Sequence, residues 1–395
     1  MELTLKQQIG LKVTLERYRQ HQKYTVISGY AGTGKSTLVH HIIDALALEG
    51  INPDQDVVFT SFTGKACNVL QKMGNKNVST LHKLLYEHYP RPDGSFVRRP
   101  VPYNSLPYKI VIVDEVSMVP MDLMKQLAKH PVYVICCGDP FQLPPIDKDA
   151  DNHLLDHPHV FLDEIMRQAA ESDIIQLSLA IREGRPLPRT NNNDALVISK
   201  EELTTNHYQW ADQIICATNE TRIGINNQMR ELLGRGAQPE DGDKVICLRN
   251  YWEEFSEEGE ALVNGTIGYL QHPYKDWHNP PYTLHLPKIY YTVADFVSDS
   301  GQHFSGLHLD TQQILTGAPQ LDFKQKFVLN KAQPWAVPME FTYGYAITGH
   351  KSQGSQWDKV LVVEERFPFS REEHARWLYT TVTRAAEKLV LVHKD

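Results

Sequence analysis

A chain of 395 residues with a formal net charge of −8 has room for two or three domains and carries no overall basic footprint. That balance argues against wholesale coating of nucleic acid, though not against a local basic groove, since binding depends on where charge sits. With 41% hydrophobic and 22% charged residues, the composition suits buried cores and excludes a low-complexity chain. The five cysteines, Cys67, Cys136, Cys137, Cys216 and Cys247, lack zinc spacing and read as free buried thiols of a cytoplasmic protein. No apolar run approaches the ~20 residues of a membrane span and the N-terminus does not read as a signal peptide, so no membrane partner is expected.

In chain order, "KYTVISG" from Lys23 is short, apolar and β-branched, and predicts a buried strand. "GYAGTGKST" follows, from Gly29 to Thr37, and a helix is predicted from near Lys35 to about Leu48. "VVFTSF" predicts a strand and "GKACNVLQKM" a helix. Between Leu84 and Pro107 the texture changes to prolines, aromatics and basic residues around a "PDGS" turn, predicting a small hairpin-like insertion. Then "KIVIVD" reads as a strand, "PMDLMKQLAKH" as a helix and "VYVICCG" as a strand. Near-continuous apolar strands separated by helices predict a parallel sheet covered on both faces. A second α/β block begins with "DQIICAT" near Asp212. It is broken from Gly242 to Pro338 by short strands and turn residues that suggest a small barrel, and it resumes at "MEFTYGYAIT".

The P-loop pattern lies between a strand and a helix, the context that gives it meaning. Its glycines, Gly29, Gly32 and Gly34, let backbone N–H groups close on phosphate oxygens, and the helix N-terminus adds positive potential. Lys35 would reach the β- and γ-phosphates and Ser36 would ligate Mg²⁺. "VIVDEVSM" sets Asp114 and Glu115 at a strand end, suited to a Mg²⁺ ligand and a base that orients water. Gln142 in "GDPFQLPPI" could bond both a γ-phosphate and the attacking water. Arg384, after a helical run, and Arg167 in "EIMRQ" are candidate cationic fingers.

The ordered set "GYAGTGKST", "FTSFTGKACNVL", "VSTLHKLL", "VIVDEVSM", "GDPFQLPPI", "IMRQ", "ATNETRIGINNQMR", "DKVICLRN…LVNGTIG", "YAITGHKSQGSQWDKV" and "LYTTVTRA" resembles superfamily 1 helicases of the RecD-like branch. The resemblance covers nearly the whole chain and implies an α/β fold. Two RecA-like parallel-sheet P-loop NTPase cores would hold ATP in the cleft between them. One core would carry a small hairpin insertion, the other an SH3-like β-barrel. The implied domains are residues 1–83 and 108–165 (first core), 84–107 (pin-like insertion), 166–241 and 339–395 (second core) and 242–338 (barrel).

The resemblance further implies 5′-to-3′ movement on single-stranded DNA and unwinding of duplex, with ATP and Mg²⁺ as cofactors. Gln7 falls on the adenine-reading glutamine, with Gln8 beside it as a competing position. Gly29, Gly32, Thr33, Gly34, Lys35, Ser36, Thr37 and Gly354 fall on nucleotide contacts, and Ser36 and Asp114 on the metal. Thr63, Thr80, His82, His350, Lys351, Ser352 and Gln353 fall on DNA contacts, and Phe96 near the hairpin tip would stack on a base. Where many relatives carry a ribose-holding glutamate this chain has Gln356, so that role is not carried over. Expected partners are single-stranded DNA and duplex junctions, with replication or single-strand-binding proteins beside a monomeric motor. The setting would be cytoplasmic, the host's cytoplasm for a phage-encoded chain. Three alternatives stay open: a P-loop ATPase or nucleotide kinase of another class, a module using ATP only as a switch, and a translocase that strips proteins from DNA without separating strands.

Overall fold

The computed structural model describes residues 3–90, 96–144, 152–166, 171–188, 194–257, 259, 261–365 and 370–394. The first half alternates helix and strand: α1 (Leu5–Arg19), β1 (Tyr24–Gly29), α2 (Lys35–Ala47), β2 (Val57–Ser61), α3 (Gly64–Lys72), β3 (Val78–Thr80), α4 (Leu81–Leu85), β4 (Tyr86–Pro90), β5 (Phe96–Pro100), β6 (Ile110–Val113), β7 (Tyr133–Gly138), β8 (Val160–Leu162), α5 (Asp173–Glu183) and β9 (Ala195–Ile198). There follow β10 (Gln213–Cys216), α6 (Asn219–Leu232), β11 (Lys244–Cys247), β12 (Tyr251–Phe255), β13 (Ala261–Leu262), β14 (Ile267–His278), β15 (Ile289–Ser298), β16 (His303–Asp310), β17 (Phe341–Tyr343), β18 (Ala346–Thr348), β19 (Trp357–Val363), α7 (Arg371–Val382) and β20 (Ala385–Val392).

Two compact units form. One comprises Met1–Tyr89, Arg98–Asp212 and Ser352–Asp395, the other Pro90–Val97 and Gln213–Lys351. This division differs from the one drawn from the sequence, because the last 44 residues cluster with the P-loop segment rather than with the block that begins at Gln213.

In the first unit six strands make a parallel sheet in the order β3-β2-β6-β7-β1-β8. Successive residues of a strand face opposite sides, and both sides are buried. Ile27, Ile112 and Ile135 join Leu38, Ile42 and Leu46 of α2 in one core. Val26, Val111 and Val134 join Leu81 and Leu85 of α4 in the other. That double burial is why the strands read as unbroken apolar runs. A further parallel set, β19-β20-β9, belongs to the same unit.

The second unit holds a parallel pair, β10 and β18. Its larger part is an antiparallel sheet in the order β16-β15-β14-β11-β17. The sheet's two ends meet just before β17: Met339 N–H donates to the His308 carbonyl at 2.8 Å, and Asp310 N–H to the Met339 carbonyl at 2.8 Å. The β-rich expectation for this stretch holds. Strands β4 and β5 pair as a two-stranded ribbon, and residues 91–95, which carry the expected "PDG" turn, lie outside the described residues. All five cysteines are buried and free. Among the described residues, no helix is long and apolar enough to cross a membrane.

Candidate active site

Strand β1 delivers the chain to the P-loop at Gly29, and α2 starts at Lys35. Gly34 caps α2 in the left-handed region, φ 76°, with no side-chain cap, so the first N–H groups of α2 stay open to an anion. A Cβ at Gly34 would lie 2.3 Å from Met166 Sδ and 2.4 Å from Gln7 Nε2, so glycine is required there by both conformation and space. The Lys35 ammonium donates to the carbonyls of Gly29 at 2.7 Å and Tyr30 at 3.0 Å. Ser36 is exposed in the first turn of α2, Thr37 is half-buried behind it, and Thr33 is buried with its hydroxyl on the Tyr30 carbonyl at 2.8 Å.

Gln7 is fully buried on α1. Its Oε1 accepts from Thr4 N–H at 2.9 Å and its Nε2 donates to the Gly34 carbonyl at 3.2 Å. The amide therefore braces the loop from behind, and reading adenine would require it to release one of these bonds. Gln8 is exposed and donates to the Leu3 carbonyl at 2.9 Å. After β8 the chain lies along the loop, where Met166 N–H donates to the Gly32 carbonyl at 3.0 Å. Arg167, the next residue, lies outside the described residues.

Asp114 and Glu115 follow β6, and Glu115 sits at φ 51°, a left-handed conformation a non-glycine residue adopts only under constraint. Burial first, and the neighbouring Glu115 charge second, push the Asp114 carboxyl up to about 6, while the Lys35 charge pulls it back. Gln142 lies between an acid and a base. With its amide oriented as its neighbours demand, Nε2 donates to Glu115 Oε2 at 3.0 Å and Oε1 accepts from Arg384 Nη2 at 3.1 Å. Arg384 Nη1 stands 3.9 Å from Glu115 Oε1, and the Arg384 side chain is buried with Nε on the Thr380 carbonyl at 2.9 Å. Three groups predicted from separate motifs thus meet in one network.

The threonines expected to touch DNA cap helices at adjacent strand ends. Thr63 Oγ1 accepts from Ala66 N–H at 3.2 Å ahead of α3, and Thr80 Oγ1 from Lys83 N–H at 3.2 Å ahead of α4. The His82 ring packs between Phe62, 5.5 Å between centroids, and Tyr86, 6.3 Å. Gly354 adopts φ 67°, and a Cβ there would come 3.1 Å from Thr63 Oγ1, so glycine lets the two motifs approach. Ser352 and Gln353 are buried, and Gln353 Nε2 donates to the Leu143 carbonyl at 2.6 Å. Gln356 is exposed.

His350 and Lys351 belong to the second unit. Burial lowers the pKa of both, and Lys351 Nζ donates to Asn264 Oδ1 at 2.7 Å. Phe96 opens β5, and its side chain lies outside the described residues.

Sequence reasoning missed Tyr379, Asp139 and Arg182. The Arg182 guanidinium lies 3.6 Å from the Tyr30 ring centroid, and Phe161 meets that ring edge-on at 5.4 Å. Tyr379 and Asp139 stood inside quoted motifs, "LYTTVTRA" and "GDPFQLPPI", but nothing in either spelled out their pairing.

Residues 7–199 match the AAA domain family and residues 343–392 the UvrD-like helicase C-terminal domain family. The chain is 26% identical over 396 residues to the ATP-dependent RecD2 DNA helicase of Deinococcus radiodurans, a match covering 93% of this chain and 46% of that one. It is 30% identical over 155 residues to the ATP-dependent DNA helicase dda of Enterobacteria phage T4, covering 37% of this chain and 34% of that one. Among solved structures, that of two coordinating Pif1 helicases at forked double-stranded DNA is similar at a TM-score of 0.54 and 18% identity, covering 100% of this chain and 92% of that one. The matched stretches therefore cover half or less of the two curated relatives named, and the Pif1 likeness speaks for the fold.

Proposed function

Because the chain belongs to the superfamily 1 helicases of the RecD/Pif1-like type, we propose that it hydrolyses ATP to move 5′ to 3′ along single-stranded DNA and to part the duplex ahead. The observation that carries the hydrolytic part of this reading is the Glu115–Gln142–Arg384 network within the unit that holds the P-loop, while direction and strand separation rest on the family likeness. A γ-phosphate offers Lys35 a stronger acceptor than the loop carbonyls it now holds. Glu115 takes the proton of the attacking water, Gln142 orients that water, and Arg384 stabilises charge on the transferred group.

The donor set at Ser36 and Asp114 fits Mg²⁺. A carboxyl raised to about 6 is one that a nearby divalent cation would return to its ionised form. Among the described residues no group of three or more His, Cys, Asp or Glu could hold a metal. Ser36 and Asp114 would hold the ion, and it would supply neutralisation of phosphate charge there.

We read the 242–338 sheet as the SH3-like barrel of this branch, supported by its antiparallel strands and the bridge at Met339. Thr63, Thr80 and His82, and separately His350 and Lys351, are the DNA contacts in this reading, while Ser352 and Gln353 are buried and lie behind any DNA-facing surface. Most are neutral, so the affinity should fall only gently with salt, by fewer than about six ionic contacts. Binding that ignores salt would count against them.

The decisive experiment measures ATP hydrolysis with and without single-stranded DNA, then unwinding on duplexes with a 5′ or a 3′ tail. Hydrolysis should rise with DNA, and only the 5′-tailed duplex should open. DNA-independent hydrolysis would point to another class of P-loop ATPase. Displacement of bound protein without strand separation would point to a stripping translocase. Deleting Pro92 to Pro100, the pin-like segment with Phe96, should stop unwinding and leave DNA-stimulated hydrolysis intact. If both activities survive the deletion, the segment is not the strand-separating element.

A further inference from the structure

We propose that the Tyr379 hydroxyl is a positioning relay that ties the state of the P-loop to the placement of Gln142 and Arg384. It rests on the reading that this chain turns over ATP. Tyr379 lies on α7 with its side chain 1% exposed. Its hydroxyl donates to Asp139 Oδ2 at 2.6 Å and accepts from the Ala31 N–H of the P-loop at 2.7 Å. A hydroxyl has one proton to give, and here a buried carboxylate takes it, so a lone pair is left aimed at the loop. Burial and the Asp139 charge push ionisation of the phenol far upward, so the donor is present at any working pH.

Asp139 opens the loop that carries Gln142, and that loop is fastened to α7 along its length. Asp139 Oδ1 accepts from Phe141 N–H at 2.9 Å, and the Phe141 ring meets the Tyr379 ring edge-on at 5.2 Å. Arg376 Nη1 donates to the Pro140 carbonyl at 2.9 Å, and Thr380 Oγ1 accepts from Leu143 N–H at 2.9 Å. The loop and α7 therefore move together, and Arg384 follows just past the end of α7. Ala31 lies beside the Gly29 and Tyr30 carbonyls that Lys35 now holds, and on our reading Lys35 exchanges these bonds for phosphate oxygens, which frees the loop around Ala31 to shift. Through one shared oxygen, a shift of its N–H moves the carboxylate that starts the Gln142 loop and the helix that leads to Arg384.

Tyr379→Phe removes that oxygen and keeps the ring against Phe141. We expect kcat for ATP hydrolysis to fall ~10-fold, equal to ~1.4 kcal/mol, with KM for ATP near native and a melting temperature lowered by the stranded Ala31 N–H and Asp139 Oδ2. Asp139→Ala, which also releases the Phe141 N–H, should lose at least as much rate. Asp139→Asn, which keeps an acceptor, should restore much of the rate, and the Tyr379→Phe/Asp139→Ala double variant should be no slower than Asp139→Ala alone. A packing role alone would lower the melting temperature and spare kcat.

A second measurement does not depend on turnover. Hydrogen exchange across residues 139–143 and α7 should slow when a non-hydrolysable ATP analogue binds the native chain, and this response should vanish in Tyr379→Phe. Native kcat in Tyr379→Phe, or the same exchange response in both proteins, overturns the relay. A native chain that shows the response but never hydrolyses ATP overturns the functional reading and leaves the relay standing.

Discussion

Glu115→Gln should bind ATP as the native chain does and hydrolyse it ~10²–10⁴-fold more slowly, the range a positioned general base supplies. The substitution is nearly isosteric, so the φ 51° backbone at this position meets no new strain. A glutamine Oε1 can still accept from Gln142 Nε2, which now bonds Glu115 Oε2 at 3.0 Å. The charge facing Arg384 across 3.9 Å is lost, and so is the group that takes the proton. Nothing that grips phosphate changes, because Lys35, the glycines and the open end of α2 are untouched. Binding of a fluorescent ATP analogue beside single-turnover hydrolysis separates the two effects. Turnover near the native rate would mean that another group is the base.

Arg384→Ala should cost more, ~10³–10⁵-fold in kcat, the worth of a cationic finger in phosphoryl transfer. The side chain is only 4% exposed and its Nη2 meets Gln142 Oε1 at 3.1 Å, so truncation also strands two polar partners. Arg384→Lys guards against a folding defect, because it keeps the charge and loses only the planar fork. It should melt near the native temperature and still lose most of the rate, since a single ammonium cannot serve Gln142 and the phosphoryl group together. Folded variants that both hydrolyse at the native rate would remove Arg384 from the reaction.

Much of the first unit was legible because its physics is local. A β-branched apolar run, then glycines, then lysine and a helical pattern can only be strand, phosphate loop and helix, and β1 and α2 fall where that pattern puts them. The acid pair was legible at the end of "KIVIVD" because an apolar strand leaves little for two carboxylates to do except face a site. Helix α1 was not singled out: its apolar residues are few and it is held by packing of Leu11, Leu15 and Tyr18 on the α2 side of the sheet. Gln7 was noted there as an adenine reader, whereas only the fold shows its amide bracing Gly34.

The sequence by itself determined the chemistry on offer: a loop that accepts phosphates, an acid pair, a glutamine and an arginine, each tied to short-range spacing within its own motif. The tertiary structure alone decided which of these meet. The strand order β3-β2-β6-β7-β1-β8 brings β1, β6 and β7 side by side although about 80 residues separate the first two, and so sets Lys35, Asp114 and Asp139 at one sheet edge. The same holds for Tyr379, which reaches Ala31 across 348 positions. No periodicity encodes such a contact, because burying one hydroxyl between an N–H and a carboxylate is a property of packed surfaces and not of any stretch of chain.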